Sequence, residues 1–513
     1  MSAFALAMVM ACSGTGDPFL PWTDSTGVPA KITIHPVRAE LRDDETLTLD
    51  ARVHDARGRP LTGGRVMWSS ANVSVVQVVE SGRVPIAIGT ATVTAERTEL
   101  SAALVGNVLV VAPSTPRVIT VMAGQSIQAA VDANTSGTTF LLKAGTHVRQ
   151  SVVPKPGDVF RGETGTVLDG QNVTTFAFRG WNGTRWVDDV TLRHFTITRY
   201  VPPKQDGAIS AGEAMTTATT GWVLDSLEVS YNANLGVRIG NRMRLTNSNL
   251  HHNGTINVGG IGVAVLIEGN QIAYGNWRLA NDPGFESGGT KFVKTDSLVV
   301  RKNHVHHNGG PGIWTDIDNV RVLIEDNRVE ANAREGIVHE IGYAAVIRNN
   351  TVTGNGTGDR FRGQAWLWNA GIGVHASRDV EVYGNTLIGN ANGIVAVQQV
   401  RGSGRLGPYV VENLWVHDNR VTQDVGPAGS LGVAAGAVQD VGDPAIFTSR
   451  NNRFQNNVYT LGTPARPFAW QNAARTATEW RGYGLDMTGS FEFRAAPWGV
   501  DLTTNPPLRT PFR

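Results

Sequence analysis

The strongest constraint on this chain is a repeat framed by asparagine. The units EGNQIAYGN, RKNHVHHN, EDNRVEAN, RNNTVTGN, YGNTLIGN and RNNRFQNN each set one apolar residue between Asn-bearing corners. The apolar series is Val229, Leu250, Ile272, Val305, Val329, Val352, Leu387, Val421 and Phe454, and Ile197 extends it upstream. Its shortest spacings are 21 to 24 residues, and spacings of 33 to 35 mark coils with an insertion. One such unit cannot bury its apolar residue alone, so successive units must stack. Several short strands per period and no helical pattern predict a β-helix. No fixed Leu-Leu-Asn frame supports a leucine-rich repeat. Stacked Asn side chains would hydrogen-bond from coil to coil. The asparagines are therefore architecture rather than chemistry.

The rest of the chain divides around this repeat. SIQAAVDA, Ser126 to Ala133, spaces its apolar residues as a helix does, with Ser126 as N-cap. With the following GTTFLLKAGTH it looks like the cap and first coil of a right-handed parallel β-helix, expected over residues 118–465. The tail, 466–513, carries Trp470, Trp480 and Trp498 and is expected to cover the last coil. Residues 30–111 alternate in short strands separated by turns, a sandwich-sized unit. Its segments VHDARGRPL, VMWSSANVSVVQV and GTATVTA resemble bacterial immunoglobulin-like group 2 domains, which implies a small β-sandwich spacer before an all-β body. APSTP, 112–116, reads as a linker. Residues 1–29 read as a leader remnant and tether: FALAMVMAC ends in Val9-Met10-Ala11-Cys12, which looks like a lipoprotein signal and implies an exported protein, either anchored at the outer membrane or cell surface by a lipid on Cys12 or secreted. Cys12 is the one cysteine, so neither a disulfide within the chain nor a thiolate zinc site is available. A net charge of +1 with 17% charged residues gives no steering toward nucleic acid. A monomer is expected.

Each coil also carries a Gly-Ile strand: GIWTDID from Gly312, GIVHEI from Gly336, GIGVHAS from Gly371. Alternation points Trp314, Asp316 and Asp318 outward and Ile313, Thr315 and Ile317 inward. Counted from the glycine, Asp316, Glu340 and His375 share one position. Neighbouring coils lie about 4.8 Å apart, so the two carboxylates should stand about 5 Å from each other. That separation suits a retaining glycosidase, with one carboxylate as nucleophile and the other as acid. Their mutual charge pushes the two titrations apart. Lys291 and Lys294 fall in the preceding coil. His339 has inward parity, either orienting Glu340 or filling the core. His304, His306 and His307 read as turn residues. Insertions bring Trp277, Phe285, Phe361, Trp366, Trp368, Arg360 and Arg362 to the rim, where rings suit sugar faces.

The stretch TKFVKTDSLVVRKNHVHHNGGPGIWTDIDNVRVLIEDN, followed by EGIVHEIGYAAVIRNN, resembles the catalytic coils of family 120 glycoside hydrolases over residues 286–350. That resemblance implies a retaining β-xylosidase-like enzyme without a cofactor. Asp316 would be its nucleophile, Glu340 its acid/base and Lys291 a sugar-site residue. The strand continues as Ile317-Asp318-Asn319, where the family carries a further aromatic. Lys291 is expected to hold Asp316 ionised, while His339 and His375 beside Glu340 keep its proton. Asp318 is the alternative nucleophile. ESGGTKFVKTDSLVVRKN also resembles the lysine coil of family 6 polysaccharide lyases. That implies β-elimination on a uronate glycan with Lys294 or Lys291 as base and Glu286 near a calcium ion. Those enzymes place an Arg on the next coil, where this chain has Trp314 and Asp316. Acidic side chains there repel a uronate, which ranks the lyase second. A non-catalytic surface carbohydrate binder is the third reading.

Overall fold

The computed structural model describes residues 118–212, 218–357, 367–423, 432–462 and 466–493. Before residue 118 it describes strand backbones together with His54 and Arg59. The chain forms two compact units, residues 1–145, 153–164 and 187–192 in one and the remainder in the other.

In the first unit, the early strands make two antiparallel sheets. One has the order Arg38–Leu41, Leu100–Val105, Val108–Pro113, Ala3–Met8, Met67–Ser70, and the other Pro29–His35, Thr46–Asp55, Ile88–Ala95, Val76–Glu80. The apolar opening read as a leader thus supplies a strand, Ala3–Met8. The segment read as a linker begins inside the strand Val108–Pro113. Cys12 lies outside the described residues. The same unit holds three parallel strands in register, Val118–Val121, Thr139–Leu142 and Val159–Gly162. The helix Ile127–Asp132 forms where expected. The Ser126 hydroxyl accepts the Ala129 N–H, and Ile127 and Val131 are buried.

The second unit is a parallel β-helix. Its three faces lie in a 13-stranded sheet, in this unit from Thr166–Asp169 to Ser490–Phe493, a 12-stranded sheet from Phe178–Arg179 to Ala473–Arg475, and strands from Val223–Asp225 to Arg453–Gln455. The predicted apolar series lies in one column of the 13-stranded sheet, from Ile197 through Val229 to Val421, each residue paired with the next. The exception is Phe454. Val421 pairs with Tyr459, and Phe454 sits on a different face beside Val416. RNNRFQNN contains the Asn frame twice, at Asn452 and Asn457, and the strand of this column follows the second.

The rungs explain why asparagine recurs. Asn270, Asn303, Asn327, Asn350, Asn385, Asn419 and Asn457 each donate Nδ2 to the Oδ1 of the next at 2.9–3.0 Å, and Asn457 ends the run on Asp486 at 2.8 Å. A second ladder joins Asn308, Asn332, Asn355 and Asn390. The residue before every rung of the first ladder is left-handed, for example Asp326 at φ 55° and Asn349 at φ 56°. That corner turns the chain from one sheet to the next, and Asn, Asp and Gly tolerate it best. The helix continues past residue 465. Phe468–Trp470 and Ser490–Phe493 add parallel strands, and Trp480 is fully buried against Phe454 and Phe468. Trp498 lies outside the described residues.

Candidate active site

The site lies on the 12-stranded sheet, where Gly288–Val293, Ile313–Asp316, Ile337–Glu340 and Ala370–His375 are successive strands. Asp316 pairs in register with Glu340, and Glu340 with His375, as the shared position after glycine predicts. The inward partners Thr315 and His339 are fully buried. His339 Nδ1 lies 2.8 Å from the Thr315 hydroxyl, and burial holds the imidazole down at about 4. It is a neutral core residue and does not touch Glu340.

Lys291 is at the centre of the outward set. Its ammonium lies 3.1 Å from Asp316 Oδ2 and 3.3 Å from Glu286 Oε1. It also donates to the Phe285 carbonyl at 2.5 Å and stands 3.9 Å from the centre of the Trp314 ring. Glu286, given a calcium position by the lyase resemblance, instead pairs with this lysine, so a cation there would meet an ammonium. Among the described residues, no group of three or more His, Cys, Asp or Glu side chains is placed to hold a metal ion. Lys294 follows the strand at φ 53°, outside the alternation that aims Lys291 at Asp316.

The two carboxylates differ in their partners. Asp316 Oδ1 is buried without a hydrogen bond. Burial pushes Asp316 up to about 6, the Glu340 charge adds to this, and Lys291 opposes it. Glu340 has both oxygens engaged. The Trp314 indole N–H donates to Oε2 at 3.1 Å, and Arg401 pairs with Oε1. Burial pushes Glu340 up, but His375, Arg401 and the Trp314 N–H outweigh it and leave the carboxyl below its usual value. Burial pushes His375 itself down. These directions run opposite to the expected ones: burial raises Asp316, while His375, Arg401 and the Trp314 N–H lower Glu340. Arg401 is the residue that sequence reasoning missed. Its signal was the basic, glycine-rich segment QVRGSGRLGPY inside one of the long coil spacings.

Asp318 does not continue the outward face. Ile317 and Asp318 are both left-handed, at φ 57°, which ends the alternation after Asp316. The Asp318 carboxylate accepts the Arg405 N–H at 3.0 Å and the Tyr409 hydroxyl at 2.7 Å, away from Glu340. Trp277 packs on Tyr231 and His252, at a corner of another sheet. Trp368 is at the site, with its ring edge-on to His375 at 4.6 Å. Phe361, Trp366, Arg360 and Arg362 lie outside the described residues.

Two cavities flank the pair. One of about 490 Å³ is bordered by Trp314, Arg334, Glu335, Glu340, Trp368, His375 and Arg401. Another of about 600 Å³ lies over the preceding coils, bordered by Lys204, Arg238, Gly259, Gly260, Glu286 and Lys291. The loop at Asp282–Glu286 contributes to both.

Residues 214–387 match the sequence family described as Right handed beta helix region. No curated protein sequence matches the chain. Similar solved structures include the A-module of the Azotobacter vinelandii mannuronan C-5 epimerase AlgE4, 17% identical, covering 72% of this chain and 95% of that one at a TM-score of 0.43. A mannuronic acid specific family 6 lyase from human gut microbiota is 14% identical over 75% and 89% of the two chains, with a TM-score of 0.48. A complex of XylC with xylose is 9% identical over 68% and 83%, with a TM-score of 0.38. These likenesses concern the fold. Among the described residues no helix is long and apolar enough to cross a membrane.

Proposed function

We propose that the protein is a retaining glycoside hydrolase. The observation that carries this reading is the in-register pairing of Asp316 with Glu340 on an outward sheet face, with their titrations pushed in opposite directions. Carboxyls on adjacent strands stand about 5 Å apart, the spacing for attack and protonation from two sides of one anomeric centre. The ionised Glu340, held by Arg401 and Trp314, is the nucleophile. Its carboxylate attacks the anomeric carbon as the glycosidic C–O bond breaks. Asp316 donates its proton to the departing oxygen. It then takes a proton from the water that releases the glycosyl ester. These roles are the reverse of those implied by the family 120 resemblance. The test is the anomeric configuration of the first product by NMR: retention is expected, and inversion refutes the mechanism.

The second reading is β-elimination on an acidic glycan, supported by the cleft that Lys204, Arg238 and Lys291 border. Against it, Lys291 donates to two carboxylates and a carbonyl, and a lysine base would have to give up those contacts. An unsaturated product absorbing in the ultraviolet would establish elimination. A passive binder would show neither product. Export with a lipid anchor at Cys12 is part of the same proposal; metabolic labelling with a fatty acid, lost in Cys12→Ala, is its test.

A further inference from the structure

The segment that delivers Arg401 comes from far along the β-helix. By register, Asp316 pairs with Glu340, Glu340 with His375 and His375 with Val397, so the strand Asn392–Gln398 lies three coils beyond Asp316. That is about 14 Å at the usual strand spacing. Yet the chain after it doubles back. Ser403–Gly404 and Gly407–Pro408 form a small hairpin. Its backbone N–H at Arg405 donates to Asp318 Oδ1 at 3.0 Å, and Tyr409 donates to the same oxygen at 2.7 Å. The Arg405 guanidinium reaches the carbonyls of Asp318 and Thr295 at 2.8 and 2.9 Å. Tyr343 completes the grip: its hydroxyl donates to the Gly407 carbonyl at 2.7 Å and accepts the Gly404 N–H at 3.1 Å. The fit at Gly404 is close, since any Cβ there would stand 1.8 Å from Asp318 Oδ1.

The backbone at Asp318 is strained toward this contact. Ile317 and Asp318 are consecutive left-handed residues, and Ile317 is β-branched. Left-handed backbone is costly for any residue with a side chain, more so for a branched one, and persists where the surroundings over-determine it. Without the kink, alternation would aim Asp318 along the catalytic face. With it, the carboxylate meets the hairpin.

We propose that Asp318 is a latch: by holding the strap from Gln399 to Tyr409 against the Asp316 coil, it sets Arg401 on Glu340. Asp318 is thus a positioning residue, acting through the strap and not on the sugar. The inference rests on the hydrolase reading for its meaning, but the contact it describes is testable without turnover. The groups facing Glu340 are Asp316 from the preceding coil with Lys291 behind it, His375 from the following coil, the Trp314 N–H, and Arg401 from the strap. Arg334 and Glu335 border the same cavity. Of these, Arg401 alone depends on the hairpin.

The experiment uses the full chain with 13C-carboxyl-labelled glutamate, and Glu340→Gln identifies the Glu340 signal. Its pH titration is followed in the wild type, Arg401→Ala, Asp318→Ala and the double variant. Removing a cation in contact with a carboxylate raises its titration by about one pH unit or more. The same upward shift is expected in Arg401→Ala and Asp318→Ala, with no further shift in the double variant. Tyr409→Phe, a milder loss, should shift it less in the same direction, and supplies the test if Asp318→Ala fails to fold. A merely structural Asp318 would lower the melting temperature and leave the Glu340 titration unmoved, which overturns the latch. Asp318→Ala that abolishes hydrolysis with Glu340 unshifted also overturns it, by making Asp318 catalytic. If the shifts appear but no glycoside is cleaved, the latch stands and the hydrolase reading falls.

Discussion

Asp316 and Glu340 are chemically alike and nearly equally buried, at 6% and 7% exposure, so their difference comes from neighbours. Glu340 has an arginine and an indole N–H; Asp316 has a lysine shared with Glu286, and one oxygen with no partner. A pH dependence follows. The acid must be protonated, so kcat/KM should fall as pH rises through about 6, the Asp316 value. The nucleophile must be ionised, so an acid limb should appear below the ordinary glutamate range. A pH–rate profile checks both limbs; full activity at pH 8 would place the proton elsewhere. Azide separates the roles. Asp316→Ala should retain turnover of substrates with good leaving groups, and azide should accelerate it to a glycosyl azide of retained configuration. Glu340→Ala should lose at least about 10³-fold in kcat, comparable to loss of other principal catalytic groups, and any rescued azide should be inverted. The opposite pattern restores the assignment implied by the family resemblance. The pairing itself was legible from sequence, because the glycine count fixes strand position. The charge bias was legible only in part: His375 was placed beside Glu340 by the glycine count, but Arg401, 61 residues beyond Glu340 in the chain, was not.

At the scale of elements, the Asn ladder is what makes the coils stack in one register. Asn327 donates Nδ2 to the Val300 carbonyl and to Asn350, and its Oδ1 accepts from Asn303. Alanine there strands several buried polar groups, each costing about 1–3 kcal/mol. Asn327→Ala should therefore lower stability by about 3 kcal/mol or more, read as a melting temperature reduced by several degrees. Asn413→Gly is the control: it removes an exposed amide bonded to Asp379 and Asn451, keeps a residue that accepts the left-handed backbone there, and should cost less than about 1 kcal/mol. Equal losses would mean that the buried ladder bonds stabilise the coils no more than exposed ones do. The coil columns were legible because period and apolar position repeat together. Phe454 was misplaced because RNNRFQNN fits the frame in two registers. Asp318 was misplaced because alternation was extended two residues beyond a strand that ends at Asp316. A left-handed Ile leaves no compositional trace.

On the scale of the whole second unit, the pair lies between two cavities ordered along the β-helix. The larger covers coils that precede Asp316, and the smaller covers Glu340 and the coil after it. Each falls in the size range of pockets that enclose small ligands. A glycan lying along the sheet would place units in both and its scissile bond between them. Binding energy from such remote units accelerates the reacting centre when it is realised in the transition state. We therefore expect kcat/KM to rise by at least about tenfold, or about 1.4 kcal/mol, from an aryl monosaccharide glycoside to an oligosaccharide with units on both sides. Lys204 tests the larger cavity. It is exposed at the rim, and among the described residues its ammonium has no carboxylate partner. Lys204→Ala should lower kcat/KM for substrates that extend over the preceding coils, most for those bearing a carboxylate, and leave the aryl monosaccharide unchanged. Kinetics on a length series of neutral and acidic oligosaccharides reads this directly. Equal kcat/KM at every length would show that the cavities do not take sugar units, and that cleavage is governed by the pair alone.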